Sequence, residues 1–257
     1  MKGWIRYLLI GVLGYALLLV VMVPAGFVAR FLPPPSKDFG IYDVSGTLWS
    51  GHAGLIEVGG YRFESIDFSL SPLALLIGRL GIDWSSEGPS IFGSGELSYG
   101  LLSKAVSISD TEARLPVADL AKFFKFPGVK PDGALNIALD EFSMADQGIE
   151  DLEGVITWQN ALLAADVPIG DLEAVLAMEG ENATVKIQDK GGPLSAEGLL
   201  SIKPTGEYQY KGTAGAKDAQ DTTLVVVTRM LGQPRPDGKV EMQFAGRWPQ
   251  LGAKPVQ

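Results

Sequence analysis

The sequence predicts a mainly β protein, in which one N-terminal transmembrane helix precedes a curved antiparallel sheet (a groove or half-barrel) with a few short helices. Three observations predict it. The first 30 residues contain a long uncharged run, apolar residues recur at alternate positions beyond residue 40, and only three later segments carry helix start and stop signals. With 257 residues, of which 46% are hydrophobic and 20% charged, the chain is long enough to bury a sizeable core.

The uncharged run extends over residues 7–29. As a helix it would be about 35 Å long, enough to cross a hydrocarbon core of about 30 Å. Lys2 and Arg6 precede the run and Arg30 follows it, so the positive-inside bias places the N-terminus in the cytoplasm and the rest across the membrane. We therefore expect residues 1–30 to form a cytoplasmic N-terminus and an uncleaved anchor. The alternative is a cleaved signal peptide, whose apolar region would be about 7–15 residues and thus shorter than this run.

The remaining boundaries follow from composition. Residues 31–38 contain three consecutive prolines and form a stiff linker, residues 39–250 form the exported β-rich domain, and residues 251–257 form a flexible tail. Without residues 1–30 the chain keeps 18 of its 21 basic and all 30 acidic residues, a net charge of -12. This charge excludes a nucleic-acid-binding role, and it predicts that the domain is held off the anionic membrane surface.

Alternation of apolar and polar residues predicts the strands. Val240, Met242 and Phe244 share one parity, while Lys239 and Glu241 share the other, as in an antiparallel sheet with one buried face. Glycines stand at or near the start of many such segments, and we interpret them as turn or bulge residues that open strands: Gly46, Gly95, Gly133, Gly154, Gly198 and Gly238. A phase slip at Leu101–Leu102 predicts a β-bulge there.

Three segments carry helical signals. Ser71–Pro72 is an N-cap followed by proline at the first helical position, with Gly78 or Gly81 as the stop. Residues 115–124 predict a second helix, and residues 221–231 a third that could equally be a strand because of its β-branched run. Three short helices cannot cover about twelve strands, so we expect the sheet to curl around its apolar face.

The sequence lacks the usual signs of an enzyme. It has no cysteine and a single histidine, His52, and no Gly-x-Ser-x-Gly segment presents a nucleophilic serine. We interpret His52 as a surface or strand-edge histidine. Asp146, Glu150, Asp151 and Glu153 are clustered, but their spacing does not fit a calcium-binding EF-hand loop, so we interpret them as a solvated acidic loop. The chain is therefore predicted to be non-catalytic, without cofactor or metal.

Residues 44–53, Val-Ser-Gly-Thr-Leu-Trp-Ser-Gly-His-Ala, resemble the Gly-Thr-Leu-Trp-x-Gly signature near the start of type II secretion system protein N, also called general secretion pathway protein N. Matching segments follow in the same order: Leu70–Leu73 with Leu76–Leu80, Leu152–Trp158, Asp189–Leu194 with Gly198, Gly206–Tyr208 and Leu231–Gly232. The resemblance covers most of the chain. It assigns structural or interaction roles to the motif residues Gly46, Thr47, Leu48, Trp49, Gly51, Pro72, Gly78, Arg79, Leu80, Gly154, Trp158, Gly191, Gly192 and Pro193.

The resemblance implies an accessory subunit in the inner membrane, with one helix and a periplasmic domain. Its partners would be the other inner-membrane platform subunits and the outer-membrane secretin of the machine that exports folded proteins. The residues themselves allow structural interpretations. Trp49 is expected to pack on the sheet, and Arg79 to bond the last carbonyls of the helix that precedes it.

The segment Ser71–Leu80 is also similar to a recurring element of AsmA-like proteins, whose curved sheets form lipid-lined grooves. The sequence therefore supports two hypotheses. One is a secretion scaffold that binds other membrane-anchored subunits through exposed strand edges or its periplasmic face, and the other is a periplasmic module that binds or transfers lipid in an apolar groove.

Overall fold

The computed structural model of the chain describes residues 7, 11, 15, 22–29, 39–59, 61–89, 91–120, 130–146, 148–163, 167–229 and 232–248. The linker prediction for residues 31–38, the tail 251–257 and most of the predicted span lie outside these ranges. Within them, no helix combines the length and the apolar character needed to cross a membrane.

The described residues form a single antiparallel sheet with a few short helices, which confirms the mainly β prediction. The strands are β1 Phe39–Gly46, β2 Ser50–Val58, β3 Tyr61–Leu70, β4 Arg79–Glu87, β5 Phe92–Gly100, β6 Val106–Pro116, β7 Asp132–Ala145, β8 Gly148–Leu162, β9 Pro168–Glu179, β10 Asn182–Asp189, β11 Leu194–Ile202, β12 Glu207–Ala216, β13 Gln233–Pro234 and β14 Val240–Arg247. The helices are α1 Ala25–Ala29, α2 Pro72–Leu76, α3 Val117–Leu120 and α4 Thr222–Arg229.

The sheet is a meander. Each strand from β1 to β11 pairs with the strand that follows it in the chain, whereas β12 pairs with β14, which carries the two-residue β13 on its other side. The turns after β1, β3, β5, β7, β9 and β11 therefore lie at the same end of the sheet, which we call the lower end. The turns after the even-numbered strands lie at the upper end.

One apolar face runs through the whole sheet. The cross-strand pairs Ala53–Ile66, Ile82–Leu97 and Trp158–Leu172 are examples of the apolar residues that follow one another across neighbouring strands. On β14 the alternation continues as predicted, since Val240 and Met242 face the core and Glu241 is exposed. The period of two thus places the apolar set on one side and the charged set on the other.

The glycines do more than the sequence interpretation assigned to them. Gly95, Gly154 and Gly198 lie inside strands β5, β8 and β11, so the interpretation that they open strands is wrong. At each of these positions a neighbouring strand leaves no space for a Cβ: the Thr111 hydroxyl lies over Gly95, the Ala138 carbonyl over Gly154, and the Tyr210 ring over Gly198. These glycines permit close approach across the sheet.

Two of the three helix predictions are confirmed. The Ser71 side chain accepts a hydrogen bond from the Ala74 N–H at the start of α2, and α4 lies where the residue 221–231 helix was predicted. The prediction for residues 115–124 is confirmed in part: Leu115 and Pro116 belong to β6, α3 covers Val117–Leu120, and residues 121–124 lie outside the described ranges. The predicted bulge at Leu101–Leu102 is wrong, because these residues form the turn between β5 and β6. The bulge in this strand pair lies between Ser94 and Glu96.

The last residues of the uncharged run lie against the sheet. The Val23 carbonyl accepts a hydrogen bond from the Leu48 N–H (2.8 Å), and Pro24 forms an isolated bridge with Thr47. Ala25, at the start of α1, is 4% exposed. The chain therefore reaches the domain at its lower end, beside the turn between β1 and β2.

The C-terminal half, β8–β14, encloses its own core. Leu224 of α4 is fully buried against the upper part of the apolar face, in a cluster with Ala161, Ile169, Leu194, Ala196, Ala214 and Val240. In the lower part, Leu152 of β8 belongs to the same cluster as Ile202 and the partly buried Tyr208. A Cβ at Gly148, at the start of β8, would lie 2.8 Å from the Pro204 carbonyl oxygen in the turn before β12. Strands that are not neighbours in the sheet therefore meet, so this half curls around its core.

Candidate apolar groove and open strand edge

The N-terminal half, β1–β5, leaves its apolar face open as a groove of about 610 Å³. Side chains of five consecutive strands line this groove, and all of its lining residues are apolar: Ala25, Ile41, Val44, Leu48, Ala53, Ile56, Phe63, Ile66, Phe68, Leu70, Ile82, Trp84, Ile91 and Leu97. Among the described residues that line it, none has a charged, amide or hydroxyl side chain that could orient a ligand or supply chemistry. The groove suits an apolar guest, since ligand pockets are commonly about 300–1,000 Å³.

The segment Gly46–Gly51 forms the lower corner of the groove. Gly46 has φ +82°, a conformation that a residue with a Cβ rarely adopts, and the Thr47 hydroxyl accepts from the Ser50 N–H (3.1 Å) to close the turn. Leu48 lines the groove, and the Phe68 ring covers Gly51 so closely that a Cβ would meet it. Trp49 is half-buried and its carbonyl accepts from the Leu70 N–H (3.0 Å). These motif residues thus shape the turn that holds α1 and β3 in place.

The segment around α2 forms a second lower corner. Pro72 is the first residue of α2 and Gly78, with φ +74°, ends the turn that follows the helix. The expectation that Arg79 bonds the last helical carbonyls is wrong: the Ile77 and Gly78 N–H groups donate to the Ala74 and Leu75 carbonyls instead. Among the described residues the exposed Arg79 side chain has no hydrogen bond or ion pair, and its neighbour Leu80 pairs with Tyr99.

The remaining motif residues lie in the C-terminal half and build its core. The Trp158 indole N–H donates to the Asp132 carbonyl (2.9 Å), and its side chain packs against the cluster around Leu224. Gly191 and Gly192 both have positive φ in the turn between β10 and β11, and the Gly192 backbone lies directly against Gly170. The Pro193 carbonyl accepts from the Lys217 N–H (2.8 Å). The structure therefore splits the motif set between two places, and only the first two segments border the groove.

The edge of β14 is a second candidate site; the sequence predicted contacts through exposed strand edges but did not identify this strand. Within the described residues β13 covers only Val240 and Glu241, so the strand from residue 242 to 247 pairs on one side alone. Trp248 donates its N–H to Gly206 beside β12 (2.8 Å). Because backbone groups alternate in direction along a strand, Gln243, Ala245 and Arg247 present theirs to the open side.

Two aromatic residues stand along this edge. Phe244 is 55% exposed and stacks on Tyr210, with ring centroids 6.0 Å apart, while Trp248 is 47% exposed and contacts Tyr208. The opposite edge, β1, is better protected, since α1 packs beside its Gly46 end and Asp43 interrupts the strand with φ +55°. An open edge flanked by aromatic side chains can accept a strand from another chain.

His52 has an acidic partner that sequence reasoning did not provide. Its Nδ1 lies 2.8 Å from Asp67 Oδ1 on the polar face, and Ser45 stands opposite His52 on β1. The serine does not hydrogen-bond to the histidine within the described part of the chain, and both the His52 and Asp67 side chains are well exposed, at 39% and 67%. A polar cavity of about 670 Å³ nearby is lined by Asp67 but by neither Ser45 nor His52. Ser45, His52 and Asp67 therefore lack the enclosed, hydrogen-bonded geometry that activates a nucleophilic serine.

The acidic cluster is not a loop. Glu150, Asp151 and Glu153 lie in β8, and the Asp151 carboxylate accepts from the Ser143 hydroxyl on β7 (2.7 Å). In the ranges that the structure describes, no group of three or more carboxylate or histidine side chains is placed to hold a metal ion.

Electrostatic pairing is concentrated on the C-terminal half. A hydrogen bond from Lys217 Nζ (2.6 Å) lowers the pKa of Asp189, with a smaller contribution from the Ala196 N–H. Hydrogen bonds from Gln188 and then Lys190 lower the pKa of Glu173. Burial among the apolar side chains raises the pKa of Tyr210, whose ring lies over Gly198 and Gly212. The Glu173 contacts join β9 to β10 and its following turn, and the Asp189 contacts join the end of β10 to β11 and to the residue after β12.

Comparison with known proteins agrees with the sequence resemblance. The family model described as type II secretion system (T2SS), protein N, matches residues 38–243. A type II secretion system protein N of Aeromonas hydrophila is 24% identical over 249 residues, covering 93% of this chain and 95% of that protein. A type II secretion system protein N of Vibrio cholerae serotype O1 is 25% identical over 237 residues, covering 90% of each chain. No solved structure matches the chain.

Proposed function

The chain belongs to the type II secretion system protein N family, and from this premise we propose that it is a non-catalytic accessory subunit that supports the export of folded periplasmic proteins across the outer membrane. The match over residues 38–243, which include nearly all of the sheet, carries this proposal. Its partners in this proposal are other inner-membrane subunits of the secretion platform and the outer-membrane secretin.

The proposed location is the inner membrane, with the N-terminus in the cytoplasm and the sheet in the periplasm. The uncharged run of residues 7–29, with Lys2 and Arg6 before it, supports this orientation. The lower-end position of Val23 supports it too, because the chain would then leave the bilayer directly beside the β1–β2 turn.

We assign the protein contact to the open edge of β14. Addition of a partner strand there would satisfy the backbone groups of Gln243, Ala245 and Arg247 that face the open side, while Phe244 and Trp248 add apolar contact area on one face of the sheet. Aromatic side chains are enriched among the residues that dominate binding energies.

A proline at position 245 tests this assignment. Ala245→Pro removes an N–H that faces the open side and leaves the ladder with β12 intact, so the sheet should persist. We expect cells that carry this variant to lose export of folded cargo and the variant to lose its crosslinks to platform subunits. Ala245→Val, which keeps the N–H, is the matched control and should export normally. Normal export and unchanged crosslinks with Ala245→Pro would rule out the β14 edge.

A lipid-binding function is the second candidate, and the fully apolar lining of the 610 Å³ groove favours it. The full chain, purified in lipid nanodiscs and released in a mass spectrometer, should then retain a lipid in stoichiometric amount. Ile82→Trp, which places a larger ring in the groove, should reduce retention, while Val226→Trp on the exposed side of α4 should not. Equal retention by all three proteins, or none by the parent, would exclude the groove as a lipid site.

A further inference from the structure

Five large apolar side chains are exposed together at the lower end of the N-terminal half. They are Leu73, Leu76, Ile77, Leu101 and Leu102, with exposed fractions of 74%, 83%, 74%, 53% and 93%. The first three belong to α2 and the turn after it, and the last two to the turn between β5 and β6. We call this set the leucine end. Contiguous exposed apolar surface on a folded domain marks a place of contact with another apolar phase.

Backbone hydrogen bonds hold the leucine end together and connect it to the point where the chain arrives. The Leu101 N–H donates to the Gly78 carbonyl (3.0 Å), which joins the β5–β6 turn to the α2 segment. The Leu70 N–H donates to Trp49, and the Leu48 N–H donates to Val23, which follows residues 7–22 of the uncharged run. The exposed leucines therefore lie at the same end of the sheet as the point where that run reaches the domain.

The charges at this corner differ from those of the whole domain. Residues 22–29, 44–51, 70–82 and 98–109 contain no aspartate or glutamate, although the chain has 30 acidic residues. The charged side chains in these four segments are Arg79 and Lys104, both exposed. In contrast, Asp146 lies in the lower-end turn after β7, and Glu179 and Glu181 lie at the lower-end turn after β9, whereas in the turn after β11 Lys203 pairs with Glu207 (3.0 Å). An anionic lipid surface is thus attracted to one corner of the sheet and repelled by the other.

From these observations we propose that the leucine end enters the interface of the lipid bilayer, beside the emerging N-terminal run, with Arg79 and Lys104 at the phosphate headgroups. This inference rests on the anchored location given under the proposed function and replaces the expectation that the domain is held off the membrane. In this orientation only the lower end of the N-terminal half contacts the bilayer. The negative charge of the rest of the sheet lies away from the lipid surface and does not oppose this contact.

Because the chain has no cysteine, single-cysteine variants report on individual sites. The full chain, reconstituted into vesicles of phosphatidylethanolamine and phosphatidylglycerol, would carry a polarity-sensitive nitrobenzoxadiazole probe at Leu76→Cys or Leu102→Cys. Controls are Glu181→Cys, at the lower end of the C-terminal half, and Asp218→Cys, at the upper end. We expect blue-shifted emission and strong quenching by nitroxide-labelled lipid at positions 76 and 102, and neither effect at the controls.

The possible outcomes separate the alternatives. Emission at positions 76 and 102 equal to that of the controls overturns the inference, and so does a blue shift without lipid quenching, which indicates a protein partner or a second copy. If alkaline carbonate extracts the whole chain from the vesicles, the proposed anchoring of the chain in the membrane is itself contradicted. Arg79→Glu combined with Lys104→Glu should reduce the quenching at position 102, more in phosphatidylglycerol vesicles than in neutral ones.

Discussion

The two halves of the sheet share one alternating pattern but use it differently. In the C-terminal half the apolar face is enclosed by curling of β8–β12 and by α4, whose Leu224 is fully buried. In the N-terminal half the same face remains a groove lined by fourteen apolar residues. The helix α2, which could have covered it, lies at the lower end with its leucines exposed. Alternation therefore specifies which face is apolar, whereas the connections between strands decide whether that face becomes a core or a surface.

The largest difference in stability between the two halves is expected when a large apolar side chain is shortened to alanine. Leu224→Ala leaves a cavity under α4, and we expect it to lower the free energy of unfolding by about 2–5 kcal/mol. Leu97→Ala in the groove removes the same atoms from a side chain that is already 37% exposed, so its cost should stay below about 1.5 kcal/mol. Urea titration followed by circular dichroism measures both. Equal losses would mean that the groove is packed as tightly as the core.

Enlarging a side chain should also destabilise the C-terminal half more than the N-terminal half, but by a smaller amount. Ala214→Leu inserts three carbons between Ala196, Val240 and Leu224, and overpacking there should cost about 1–3 kcal/mol. Ile82→Trp also enlarges a side chain, but into the open groove, and should leave the urea midpoint nearly unchanged. A large loss of stability from Ile82→Trp would contradict the open groove.

The smallest expected difference between the halves is in how their stability depends on acidic pH. The pKa of Asp189 is lowered in the folded state, chiefly by the Lys217 hydrogen bond, so this carboxylate stabilises the fold above its unfolded pKa and ceases to do so as the pH falls through the lowered value. Since the Lys217 side chain is 44% exposed, Asp189→Asn should cost less than about 1 kcal/mol at pH 7. The difference from the parent should vanish in acid. Glu179→Gln, an exposed carboxyl on β9, is the control and should have no effect at either pH.

The parts of the fold that depend on neighbours in sequence could be predicted. Ser71 and Pro72 start α2 because a cap needs only the residues beside it, and the Asp221 carboxylate accepts from the Leu224 N–H at the start of α4 in the same way. The parity of Val240 and Met242 follows from the pleat alone.

The parts that depend on partners distant in sequence could not. Position 198, inside a strand, needs a glycine because the Tyr210 ring of the next strand occupies the space of a Cβ. Nothing in the residues around Gly198 identifies that ring. The open β14 edge was missed for a similar reason, since it depends on β13 being only two residues long. The acidic partner of His52 comes from a register that the sequence does not reveal. The groove itself was expected, but not that α4 would close one half and leave the other open.

The neighbour-to-neighbour order of the strands has a consequence for biogenesis. A chain that becomes available from its N-terminus can complete each hairpin as soon as its second strand is free, without waiting for later residues. Only the return from β12 to β14, around the α4 segment, interrupts this sequence. The growing edge is therefore exposed to wrong pairing only briefly, and the last strand delivered is the one left available for a partner once synthesis is finished.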